Sequence, residues 1–160
     1  MFEHTGEYIK NDMIIEFSKT LEMFDLNQSE ARLFAFMYLS NKPLTLDDMS
    51  EALGKSKTSM STSARSLTEL KLISPVWKKG VRKDLYQANP QLFKIFMMTY
   101  IDKWVDASKS QKEGLEKIKR QIHEQEALPN MEDRLEEVIE FHRQIEQFFA
   151  CMKQEHSSLK

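Results

Sequence analysis

Residues 44–88 read LTLDDMSEALGKSKTSMSTSARSLTELKLISPVWKKGVRKDLYQA, and this stretch decides the fold. Thr45 is a candidate N-cap with Asp48 three residues on, the spacing of a capping box, and Met49, Ala52 and Leu53 form the apolar face of the helix that follows. Gly54 stops that helix. A second helix can start at Ser56, with Lys57, Thr58 and Ser59 in its first turn and Met60, Ala64, Leu67 and the stem of Lys71 on one side. Residues 72–77 and 84–88 then pattern as two strands. The linking residues 78–83 contain Gly80, which can take the positive backbone angle of a tight hairpin.

The outer side of the second helix carries Thr58, Thr62 and Arg65, flanked by Ser59, Ser61 and Ser66. Short hydroxyl side chains and one guanidinium let a helix approach a nucleic-acid backbone and base edges closely. The hairpin tip holds Lys78, Lys79, Arg82 and Lys83. From residue 55 to 83 there are eight Lys or Arg against one acid, Glu69, in a chain whose net charge is −2. The positive charge is therefore local. Basic hairpins are often only solvated loops, and many helical proteins have a Gly between two helices. In this order and spacing, however, the elements match a helix-turn-helix followed by a basic wing. The expected partner is double-stranded DNA, met by Ser56, Lys57, Thr58, Ser59, Ser61, Thr62 and Arg65 of the second helix and by the four wing cations.

At these residues the sequence resembles the GbsR-type branch of the MarR-like winged-helix repressors. The resemblance is carried by KPLTLDDMSEALGKSKTSMST at residues 42–62 and VWKKGVRKDLY at 76–86, and runs more weakly across 29–104. It implies a dimeric bacterial repressor of genes for osmoprotectant uptake or synthesis, with choline or a related quaternary amine as effector.

The 160 residues suffice for one ordinary core or a small module with a helical attachment, and four Gly and four Pro are few breakers. The fold class expected is mainly α with a small β-hairpin wing, a winged helix-turn-helix flanked by long dimerisation helices. Residues 1–28 read as an N-terminal dimerisation helix, with Ile14, Phe17, Leu21 and Phe24 as its stripe and Tyr8, Ile15 and Met23 widening it. Residues 29–88 read as the DNA-binding domain, opened by a buried helix with Ser29 as cap. Residues 89–160 read as a dimerisation and sensor region. There, a helix from Asn89-Pro90 runs to about Glu126, and a break follows at 127–130. Asn130 caps a last helix with a heptad seam of Met131, Val138, Ile145 and Met152 plus Leu135, His142 and Phe149, which can pair within the chain or between two chains. A homodimer is expected because two reading heads would sit one helical turn of DNA apart.

No basic-then-apolar leader opens the sequence, nothing reaches transmembrane length, and Cys151 is the single cysteine, so a cytoplasmic setting without membrane contact is expected. Three inputs can be weighed for a repressor. Phe93, Phe96, Tyr100 and Trp104 recur along one helix, with Trp77 and Tyr86 near the wing base; such rings attract quaternary ammonium ions through their faces, though an aromatic stripe is more often plain core. Cys151 lies near a helix end that opposes thiolate formation, and an inert packing cysteine is the default alternative to a redox input. His123, His142 and His156, with Glu126 or Glu146, lack paired metal-ligand spacing, so neither metal nor cofactor is expected. No phosphate-cradling loop or nucleophile elbow points to an enzyme. The rival class is a winged-helix module that binds protein instead of DNA.

Overall fold

The computed structural model describes residues 2–125 and 130–158. The order of elements is α1 (Phe2–Met23), α2 (Gln28–Ser40), α3 (Leu46–Leu53), α4 (Lys57–Glu69), β1 (Ile73–Val76), β2 (Leu85–Ala88), α5 (Leu92–Gln125) and α6 (Met131–Ser158). Chain contacts divide it into two units, Met1–Phe96 and Met97–Lys160. The mainly helical class with one small hairpin is as the sequence predicts. Residues 127–129 of the expected break, Glu126 and the side chain of His123 lie outside the described residues.

In the first unit, α2 is the central post. Ala31, Leu33, Phe34, Ala35 and Met37 are all buried, which satisfies a helix that is apolar nearly all round. Its cap is Asn27, not the expected Ser29: the Asn27 side chain accepts from Glu30 N, and the Glu30 carboxylate accepts from Asn27 N, a full capping box. Ser29 is free for another partner, described below. Helix α1 lies along α2 with Ile14, Ser18 and Leu21 buried, the Ser18 hydroxyl being satisfied by the Ile14 carbonyl. Its wider stripe of Tyr8, Ile15 and Met23 stays outside, and Ile9 and Met13 are exposed as well.

The hairpin pairs Ile73 with Ala88 and Val76 with Leu85, antiparallel. Leu44 bonds Tyr86 in both directions at 2.8 Å, a single bridge that ties the residue before α3 to the hairpin. Pro75 is tolerated because β1 lies at an edge, where its missing N–H costs no ladder bond.

In the second unit, α6 runs antiparallel to α5 with Ile101, Ser108 and Ile139 buried. Salt bridges tie the two helices, Lys112 to Glu146 at 2.6 Å, Lys153 to Asp102 at 2.6 Å and Arg143 to Glu116 at 3.8 Å, with Lys119 on Glu136. The heptad seam thus pairs within the chain, but rotated from the expected one. Met131 and Val138 are exposed while Ile139 is fully buried. The facing part of α5 is mostly charged, and Glu146, part-buried, and Glu136, at the exposed margin, meet its lysines Lys112 and Lys119.

Candidate nucleic-acid interface

The turn between α3 and α4 is built by its caps. Thr45 Oγ1 accepts from Asp48 N at 3.1 Å, and Asp48 Oδ2 accepts from Thr45 N at 2.9 Å. Gly54 closes α3 at φ 62°, a left-handed angle that glycine adopts without a Cβ penalty. Two residues later, Ser56 Oγ accepts from Ser59 N at 3.1 Å and starts α4. The Ser56 hydroxyl, expected at the interface, is therefore engaged as a cap.

Met60, Ser63, Ala64 and Leu67 of α4 are buried, and Thr58, Thr62 and Arg65 are exposed along the opposite side. Ser59, Ser61 and Ser66 lie at the margin, half-buried. One expected core group is displaced. Lys71 lies beyond the helix end at φ 61° and is exposed, because the helix closes at Leu70 with Leu72 N bonding Leu67 O and Lys71 N bonding Thr68 O. Leu72, not Lys71, enters the core.

Two hydroxyl contacts fix α4 on α2. Ser63 Oγ lies 3.0 Å from Ser29 Oγ, and Ser66 donates to Glu30 Oε1 at 2.7 Å. Ser63, buried, and Ser66, half-buried, thus hold the helix to α2 through their hydroxyls.

In the wing, Val81 N bonds Lys78 O at 3.1 Å and Gly80 takes φ 82°, the positive angle expected of it. Lys78, Lys79, Arg82 and Lys83 are all exposed. A residue with no local sequence signal of its own meets two of the expected DNA-facing lysines. Asp47, in the first turn of α3, holds Lys83 Nζ at 2.6 Å and Lys57 Nζ at 3.3 Å. The Lys83 hydrogen bond, then Lys57, pulls the Asp47 carboxyl below its ordinary value, and Asp47 raises Lys83 in return. No local periodicity signals a pair 36 residues apart.

The six aromatics named for a ligand have different neighbours. Trp77 is 82% exposed on the wing, and Phe93 is 66% exposed. Tyr86 sits half-buried on β2. Phe96, 6% exposed, packs edge-on against Phe24 and Phe34, each 5.4 Å away between centroids. Tyr100 and Trp104 instead join Phe149 of α6, with Trp104 stacked on Phe149 at 5.5 Å and Tyr100 6.0 Å from Trp104. On the sequence Phe149 belongs to the α6 seam alone. His142 Nδ1 lies 2.8 Å from the Val138 carbonyl of its own helix, a contact that ties the ring to the helix backbone.

No protein-family model matches the chain. It is 28% identical over 116 residues to the HTH-type transcriptional repressor OpcR of Bacillus subtilis, covering 72% of this chain and 63% of that protein. Its homologues are helix-turn-helix transcriptional repressors and regulators. The B. subtilis repressor GbsR is 32% identical over 94 residues, covering 58% of this chain and 52% of GbsR. The chain thus spans less than two thirds of the length of these two relatives. A crystal structure of a transcriptional regulator superposes with a TM-score of 0.64 over 94% of both chains at 18% identity, which supports the winged-helix fold.

Proposed function

We propose that this protein is a dimeric, DNA-binding transcriptional repressor of osmoprotectant genes, whose DNA affinity is altered by a quaternary ammonium effector. The observation that carries the DNA part is the face of α4. Thr58, Thr62 and Arg65 stand exposed on a helix whose other side is fixed in the core, beside a wing with four exposed cations. Such a helix can enter a major groove while the wing meets phosphates. The identity to OpcR and GbsR supports the same conclusion.

A homodimer is supported by apolar surface that the chain leaves uncovered, Tyr8, Ile9, Met13 and Ile15 on α1 and Val138, Phe141 and Phe148 on α6. For the effector, the three-ring group of Tyr100, Trp104 and Phe149 is the best-supported part of the aromatic set. Its rings touch one another, so a trimethylammonium group would lie on the outward part of Trp104, which is 39% exposed. Each ring face contributes about 0.5–2 kcal/mol to such a cation.

Fluorescence anisotropy of labelled DNA from upstream of the protein's own gene, at two salt concentrations and with or without choline, tests the proposal. Tight, salt-sensitive binding that choline changes is the expected result. Binding indifferent to choline would remove the effector and keep the repressor. Failure on this and other promoter fragments would favour a protein-binding module.

A further inference from the structure

We propose that Asp47 is a built-in competitor for the DNA backbone, occupying with its carboxylate the Lys57 and Lys83 ammonium groups that phosphates would otherwise take, and so holding down binding to non-cognate duplex. This rests on the DNA-binding function proposed above.

The geometry is that of an anion site already filled. The two carboxylate oxygens of Asp47 divide between two cations, Oδ2 to Lys83 at 2.6 Å and Oδ1 to Lys57 at 3.3 Å. Both lysines are solvent-exposed, with side chains 61% and 67% accessible, so the contact is open to exchange. Asp47, Lys57 and Lys83 line one cleft of about 240 Å³ with Arg82 and a second acid, Asp84, which among the described residues forms no ion pair with Arg82, between the start of α3, the start of α4 and the wing. Charge-assisted bonds from two ammonium groups to two oxygens of one anion are the contacts a phosphate also makes. Phosphate must therefore displace the carboxylate or lie beside it against like-charge repulsion.

The wing contains its own comparison. Among the described residues, Lys78, Lys79 and Arg82 carry no acidic partner, whereas Lys83 does. Each cation that neutralises a phosphate contributes about 0.9 to the slope of log affinity against log salt. A lysine held by Asp47 contributes less than that, because its release frees no net charge. Non-cognate binding depends almost wholly on this term, and cognate binding also draws on the α4 face. Asp47 is thus placed to widen the gap between cognate and non-cognate DNA.

The test is anisotropy with a labelled duplex of unrelated sequence, from about 50 to 200 mM salt. Asp47→Asn should bind several-fold tighter at the low end, with a slope steeper by about one to two units. Lys83→Gln should barely change the slope in the native background, while Arg82→Gln lowers it by about 0.9; in the Asp47→Asn background Lys83→Gln should cost the full amount. Thermal melting checks that Asp47→Asn folds, since Asp47 sits in the first turn of α3. If it does not fold, the contrast between Lys83→Gln and Arg82→Gln decides alone. Asp47→Asn binding equally or more weakly would overturn the proposal and make Asp47 an organiser of the lysines. Absence of any salt-dependent duplex binding by the native protein would instead overturn the DNA-binding function itself.

Discussion

Ser66 on α4 donates its hydroxyl to Glu30 Oε1 on α2 at 2.7 Å, while the other Glu30 oxygen accepts the Asn27 backbone N–H at 3.0 Å. One carboxylate therefore closes the cap of α2 and anchors the proposed recognition helix. Glu30→Ala removes both contacts and should destabilise by about 1–2 kcal/mol, and Ser66→Ala by about 1 kcal/mol. Urea unfolding measures both. Equal and negligible losses would show that apolar packing alone holds α4.

Two left-handed residues flank the reading head, and they predict opposite outcomes. Gly54 at φ 62° meets nothing within 4 Å at a built Cβ, so Gly54→Ala suffers conformational strain without a clash and should lose about 1 kcal/mol. Lys71 at φ 61° already bears such strain, and Lys71→Gly should gain about 0.5 kcal/mol after its unfolded-state entropy is counted. Thermal melts of the two variants should move in opposite directions.

Arg65 and Arg82 are both exposed, but they face different parts of a duplex in the proposed complex. Arg65→Ala should cost about 1–3 kcal/mol on the cognate site and relax sequence preference. Arg82→Ala should weaken all DNA alike and reduce the salt slope by about one unit. An unchanged slope for Arg82→Ala would show that the wing does not touch phosphate.

The Asp47–Lys83 pair sets a wide pH window. Asp47 lies below its ordinary 3.8 because of Lys83 and then Lys57, so its contribution is present above that value and is lost as pH falls through the lowered one. Lys83 lies above its ordinary 10.5 because of Asp47, so its contribution is present below that value and is lost as pH rises through the raised one. The affinity difference between native protein and Asp47→Asn should therefore stay constant between about pH 6 and 9. A slope in that window would point to another titrating group.

Trp104→Ala should blunt the response to choline and leave DNA affinity without choline unchanged. Phe149→Leu, which removes the stacked ring but keeps apolar volume, should do the same to a smaller degree. Titration of the choline response in each variant reads this directly. A full response in both would move the effector elsewhere.

The sequence alone determined the helix-turn-helix and wing. Thr45 with Asp48, Gly54, Ser56 and Gly80 act within a few residues of themselves, through caps and turns whose chemistry is local, and the Met60, Ala64 and Leu67 spacing reports one buried face of one helix. The cap of α2 was also written locally, but Asn27 and Ser29 are both good capping residues. Only the position of Ser63, 34 residues away, draws Ser29 to another partner. The same holds for Asp47, whose role comes from a wing lysine, and for Phe96, Tyr100 and Trp104, one helical stripe on paper. Phe24 and Phe34 surround the first, and Phe149 joins the other two. The seam of α6 turned from Val138, which is exposed, to Ile139, which is fully buried, with Glu136 and Glu146 paired to lysines of α5 on either side. Periodicity states which residues share a face. What that face meets depends on side chains far away in the chain, and those are brought together only when the chain folds.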